Sequence, residues 1–129
     1  MTVDVRAVNN SAGPKPVGPY SHATVAGDLV FCSGMVPLDP AAGKLVTGDM
    51  GEQTTRALDN LALSLDAAGS DLAHVVKTTV FLVDLGDFAA MNDAYAARFA
   101  GHKPARSTIQ VTALPLGARV EIEAIAVRR

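Results

Sequence analysis

Two short stretches near the C-terminal end hold the residues best suited to chemistry. In Arg106-Ser107-Thr108-Ile109-Gln110-Val111-Thr112, strand alternation puts Arg106, Thr108, Gln110 and Thr112 on one face. In Val120-Glu121-Ile122-Glu123-Ala124-Ile125, Glu121 and Glu123 share a face with Ile125 and Val127. With Leu114 to Ala118 between them, the two runs read as a hairpin. Pairing Leu114 with Arg119 sets Thr112 opposite Glu121 and Gln110 opposite Glu123. One face then carries an arginine, two carboxylates, a glutamine and two hydroxyls. An ordinary solvent face accounts equally well for Gln110, Thr112 and Glu123. It suits Glu121 less if that face is buried in an oligomer, where an unpaired carboxylate is costly. The register also sets a distance. Arg106 and Thr112 are six residues apart, roughly 20 Å at the usual strand rise. Arg106 and Glu121 can therefore serve one small-molecule site only across a subunit interface.

Other residue types offer less. His22, His74 and His102 lie far apart with no HxxH or HxxxH spacing, so no metal site is expected. Cys32 sits in an apolar run and reads as a core thiol rather than a nucleophile. No GxGxxG, phosphate-binding loop or GxSxG elbow occurs. Asn92 lies beside the apolar stripe of a helix and by itself reads as a surface asparagine. Tyr20, after Gly18-Pro19, reads as a half-buried anchor.

The elements that must position these groups follow from periodicity and turn signals. Residues 1–19 read as an irregular or partly extended segment, since three prolines and two glycines within 9–19 break any ladder. Tyr20 to Val25 and Leu29 to Ser33 read as strands around Ala26-Gly27-Asp28. Val36 to Gly48 is loop-like. Leu58, Leu61, Ala62, Leu65 and Ala68 mark a helix, with Asp49 and Glu52 as its start and Gly69 as its end. Val75 to Val83 is rich in β-branched residues and apolar on both faces towards its end, which predicts a central strand. A second helix is expected from about Asp87 to Ala100, with Phe88, Met91, Tyr95 and Phe99 on one stripe. Strands at about 107–113 and 119–127 close the order ββαβαββ. This predicts an α+β fold: one mixed sheet with two helices on one face. No helix remains for the other face, and self-association is the simplest cover.

Length and composition agree with one domain over 1–129. The chain has 129 residues, 49% apolar and 19% charged, and a net charge of -2. A mean hydropathy of +0.24 in so small a chain points to surface buried between subunits. The charge leaves no footprint for nucleic acid or an anionic membrane. The longest apolar runs are four residues, as in Val80 to Val83, too short to span a bilayer. A single cysteine and an opening without a signal-like apolar run make a cytoplasmic location the expectation.

Six short motifs then fall in one order: Gly18-Pro19-Tyr20-Ser21, Ser33-Gly34, Val76 to Leu82, Met91 to Tyr95, Pro104-Ala105-Arg106-Ser107, and Val120 to Ala126. In this the chain resembles the RidA (reactive intermediate deaminase, YjgF-type) family over nearly its whole length. The resemblance implies a chorismate-mutase-like fold and a homotrimer around the open sheet faces, with clefts between subunits. It implies hydrolysis of 2-imino acids and their enamine tautomers, such as 2-iminopropanoate and 2-iminobutanoate, to 2-keto acids and ammonia, without metal or organic cofactor. Such damage control removes imines released by pyridoxal-phosphate dehydratases. By the same resemblance, Arg106 grips the substrate carboxylate and Glu121 holds the attacking water. Tyr20, Ser33 and Asn92 line the cleft, Tyr20 counting among the catalytic groups. Gly34 brings backbone close to the ligand, and the Thr108 N–H is a second carboxylate donor.

Three residues depart from the family's usual pattern: Thr108 where cysteine is frequent, Met35 where glutamine usually follows Ser-Gly, and His22 for a common glutamine. The rival readings are a related deaminase of an aminoacrylate- or aminomuconate-type catabolite, and a non-catalytic trimer that binds small carboxylates or acts as a chaperone. A ribonuclease is disfavoured by the net charge and by the absence of tryptophan and of a basic cluster with interleaved aromatics.

Overall fold

The computed structural model describes residues 2–129. Met1, part of the 1–19 segment, lies outside the described residues. The chain runs β1 (Val5–Val8), β2 (Ala23–Ala26), β3 (Leu29–Met35), β4 (Leu38–Asp39), β5 (Lys44–Leu45), α1 (Met50–Ala67), β6 (Val75–Leu82), α2 (Phe88–Phe99), β7 (Ala105–Gln110) and β8 (Val120–Val127). Six strands form one mixed sheet in the order β1-β2-β3-β8-β6-β7, while β4 and β5 form a separate two-stranded ribbon. Both helices contribute to one core with the sheet, and the architecture is the α+β class expected.

The helices start and stop for readable reasons. Asp49 caps α1 by accepting the Glu52 N–H at 2.9 Å. Gly69, at φ 77°, turns the chain out after it. Leu58, Leu61 and Leu65 are fully buried on its inner face, against Val30, Val80, Leu82 and Ile122 of the sheet. α2 buries Met91, Tyr95 and Phe99 but leaves Phe88 outside the core, 42% exposed. Phe88 therefore leaves the expected apolar stripe and is free for another use. The left-handed turn after α2 begins at Ala100 (φ 52°) and continues through Gly101.

Three differences from the sequence reading bear on the site. Within the segment read as irregular or partly extended, Val5–Val8 forms an edge strand paired antiparallel with β2, and the other described residues up to 19 are irregular. The loop after β3 contains the small β4–β5 ribbon. Most important, β7 and β8 do not form a hairpin. β6 lies between them, parallel to β7 and antiparallel to β8. Thr112 is not opposite Glu121, nor Gln110 opposite Glu123. Phe81 faces Glu121 on one side and Ile109 on the other, and Thr78 faces both Ala124 and Arg106.

The faces follow from that register. Thr78, Val80 and Leu82 are buried towards the helices, so Arg106 and Thr108, opposite Thr78 and Val80, lie on the helix side. Glu121 and Glu123 lie on the other side with Phe81, Leu29, Phe31 and Ile125. The shared polar face therefore does not exist. The open face carries apolar pairs instead: Leu29 with Val127 and Phe31 with Ile125, with Leu29 and Phe31 42% and 41% exposed.

Candidate active site

Arg106 is held by aromatic faces. Its guanidinium carbon lies 4.8 Å from the Tyr95 ring centroid and 5.6 Å from that of Phe88, within cation–π range. Its side chain is half-buried, and it forms no ion pair with any carboxylate among the described residues. The platform is itself fixed, because Tyr95 Oη and Thr78 Oγ1 share a buried hydrogen bond of 2.7 Å. Burial pushes the Tyr95 phenol up, with Thr78 and Arg106 opposing, so the ring stays neutral beneath the cation. A cleft of about 290 Å³ bounded by Asn92, Tyr95, Pro104 and Arg106 opens beside it. Asn92 Oδ1 and Thr108 Oγ1 are buried without a hydrogen-bond partner. Such groups are rare and call for an occupant. β7 is the edge strand. Val111 N–H donates to Leu82 C=O at 2.8 Å. The alternation of a parallel ladder then directs the Thr108 N–H outward, to the free edge.

Glu121 belongs to a different cleft, of about 340 Å³, together with Tyr20, Ser33, Gly34 and His22. The bulge in β3 makes this possible. Cys32 pairs with Ala124 and Met35 with Ile122, so Ser33 and Gly34 together oppose a single residue of β8. The extra residue re-aims Ser33, whose hydroxyl donates to Ser21 C=O at 2.6 Å. Gly34 passes directly beneath the Glu121 carboxylate: a Cβ there would stand 2.5 Å from Oε2. Only glycine fits. Burial, and secondarily the Glu123 charge, hold the Glu121 carboxyl above its ordinary range.

Pro14 to Val17, part of an irregular segment, form one wall of this cleft. His22 fastens the segment. The Asn10 N–H donates to His22 Nδ1 at 3.0 Å, so the ring proton sits on Nε2 and is donated to Pro14 C=O at 2.5 Å. His22 N–H donates to Asn9 Oδ1 at 2.8 Å, and Val17 N–H to Tyr20 Oη at 3.3 Å. Tyr20 is 47% exposed where it borders the cleft.

The candidate residues thus fall into two groups. Tyr20, Ser33, Gly34 and Glu121 meet in one cleft; Arg106 and Asn92 meet in the other, with Thr108 next to Arg106 on β7. Arg106 and Glu121 are two strands and three residues apart, roughly 14 Å between Cα atoms, on opposite faces. The separation is shorter than the expected hairpin implied, and the divided faces keep them apart all the same. The remaining candidates have other duties. Gln110 accepts the Leu85 N–H at 2.9 Å, fastening the loop after β6, while Thr112 and Glu123 face solvent. Burial pushes the Cys32 thiol up to about 12, which suits a core residue. Among the described residues no cluster of His, Cys, Asp and Glu could hold a metal ion, and no helix is long and apolar enough to cross a membrane. The sequence reading missed the Tyr95–Phe88 platform. Its signal was a tyrosine in a helix stripe otherwise made for burial.

Fold and clefts together define a class: α+β proteins with an arginine free of carboxylates among the described residues and a half-buried glutamate, in separate clefts of a sheet whose second face is open and partly apolar. The sequence model described as Endoribonuclease L-PSP matches residues 10–128. The chain belongs to that family, which is the RidA family its motifs resemble. It is 50% identical to Protein DfrA of Myxococcus xanthus over 124 residues, 95% of each chain. It is 47% identical to the mouse protein named 2-iminobutanoate/2-iminopropanoate deaminase over 123 residues, 95% of this chain and 91% of that one. The crystal structure of E. coli TdcF with bound serine superposes with a TM-score of 0.90 at 37% identity, covering 96% of this chain and 99% of that one.

Proposed function

We propose that this chain is a cytoplasmic homotrimeric deaminase that hydrolyses 2-imino acids such as 2-iminopropanoate and 2-iminobutanoate, removing reactive metabolites before they do damage. The observation that carries the reading is Arg106: a half-buried guanidinium, stacked on two rings and free of any carboxylate among the described residues. A buried cation without a counter-ion is costly, and a substrate carboxylate would supply one with bidentate geometry. Similarity to the mouse deaminase and to a serine-binding structure supports a small substrate bearing a carboxylate.

In a trimer closed over the apolar sheet faces, the Arg106 cleft of one subunit meets the Glu121 cleft of its neighbour. Arg106 and the Thr108 N–H hold the carboxylate, and Asn92 and Tyr20 border the imine. A protonated imine is already electrophilic, so the protein needs only to orient it and place water about 3–3.5 Å from C2. Water adds to C2 as its proton passes to Glu121. Glu121 then returns the proton to the amine. The C2–N bond breaks as the new hydroxyl passes its proton to the ionised Glu121, giving keto acid and ammonia, and that proton then leaves with ammonia as ammonium. A raised carboxyl is suited to these proton transfers. Glu121 and Glu123 would repel a phosphodiester, which argues against the ribonuclease activity in the family's description.

The test uses imines of alanine and 2-aminobutyrate made by an amino-acid oxidase and trapped with semicarbazide. The protein is expected to divert them to keto acid. Arg106→Ala should lose roughly tenfold or more in kcat/KM, since charge-assisted hydrogen bonds contribute about 1.5–3 kcal/mol. Lysine lacks the planar fork and should not restore it fully. A folded oligomer without diversion would overturn the reading.

A further inference from the structure

We propose that the cleft beside Glu121 selects imino acids with extended apolar side chains, and that Leu116 and Met35 set this preference. The inference rests on the deaminase reading above. Tyr20, Ser33 and Glu121 supply the cleft's polar groups for the reaction. His22 and Lys15 also border it, and most of the remaining wall is apolar, including Pro16, Val17, Val36, Leu38 and Leu116. At about 340 Å³ in the single chain it has the volume of roughly ten water molecules, more than the whole of an imino acid with a methyl side chain occupies.

Leu116 adds an independent observation. It sits in the turn Pro115–Gly117 with φ 62° and ψ 13°, a left-handed conformation that a leucine rarely adopts. Gly117 beside it is also left-handed, at φ 76°. Despite that strain, a large apolar side chain stands at the cleft mouth, 59% exposed. Strained residues gather at ligand clamps because the strain fixes where a side chain points. Met35 follows the β3 bulge that places Ser33 and Gly34; it is 4% exposed, packs in the core opposite Ile122, and borders the cleft from that side. Its flexible thioether adapts to apolar chains of different shape. A substrate whose C2 lies near Glu121 would extend its side chain between these two residues.

The experiment measures kcat/KM of the full-length protein on imines of alanine, 2-aminobutyrate, norvaline and norleucine, with imine supply matched. The expected series rises with length, by up to about fourfold for each methylene fully buried, so that norleucine exceeds alanine by on the order of tenfold. Leu116→Gly and Met35→Gln should each flatten it. Leu116→Gly should melt at the same or a higher temperature, because glycine takes a positive φ without strain; its flattening is then not a folding defect. A flat or falling series in a protein that turns over the alanine imine overturns the inference and leaves the deaminase reading standing. A rising series that neither variant alters removes the assignment to Leu116 and Met35. No turnover of any imine overturns the deaminase reading, and this inference with it.

Discussion

Gly34 and Glu121 are in such close contact that a side chain at position 34 must move the carboxylate. Because an added Cβ would stand 2.5 Å from Glu121 Oε2, Gly34→Ala must push the carboxylate aside. A displacement of about 1 Å in a positioned group can cost on the order of 10²-fold in rate. The expected outcome is a kcat loss of that order with the fold retained, checked by kinetics and melting. Glu123 acts on the same carboxyl only through its charge. Glu121 is raised first by burial and then by Glu123. If ionised Glu121 receives the proton from water, the acid limb of the pH–rate profile lies above the usual carboxylate value of about 4.3. Removing the neighbouring negative charge favours ionisation, so Glu123→Gln should move that limb to lower pH. Glu123 is exposed, so the displacement should be small and shrink with added salt. At this scale the sequence was informative through motif alone. Residue types and order pointed to Arg106, Glu121 and Gly34. The aromatic support of Arg106 and the left-handed Leu116 are properties of three-dimensional placement, and no spacing rule announces them.

The strap over the Glu121 cleft shows how an irregular segment is held in place. Pro14, Pro16 and Pro19 keep residues 9–19 from regular structure, and His22 ties the segment down through both ring nitrogens. His22→Leu would leave the Asn10 N–H and the Pro14 carbonyl without partners, at about 1–3 kcal/mol each. It should lower the melting temperature and raise KM more than it lowers kcat, because the strap forms one wall of the cleft. His22→Gln, the residue common here in the family, should recover part of both. The elements were legible where periodicity was long. α1 and its cap at Asp49 follow from an 18-residue amphipathic run. β1 did not, because Val5-Arg6-Ala7-Val8 is a short exposed edge with little pattern. The partner of β7 was also hidden. A short connection to β8 favours a hairpin, whereas the doubly apolar β6 takes the interior position between them. Alternation says which residues share a face within a strand, but not which strand lies beside it.

For the molecule as a whole, the apolar open face and the divided site are two sides of one arrangement. Leu29 and Phe31 are exposed on the same sheet face that carries Glu121, so covering the face and completing the site would occur together. Inactive Arg106→Ala and Glu121→Ala subunits, unfolded and refolded as a mixture, should regain activity, because some mixed trimers contain one intact pair. Well-folded mixed trimers without activity would refute a site shared between chains. Phe31→Asp should yield a folded monomer that is inactive, seen by sedimentation and kinetics. The split has a further consequence for how the protein behaves in dilute solution. If the proposed shared site is right, a chain that has finished folding would still be chemically silent, since Arg106 and Glu121 lie on opposite faces of its own sheet. Activity per chain should therefore depend on how crowded the chains are. It would hold constant on dilution, then collapse over a narrow range as neighbours part, and return when the solution is concentrated again.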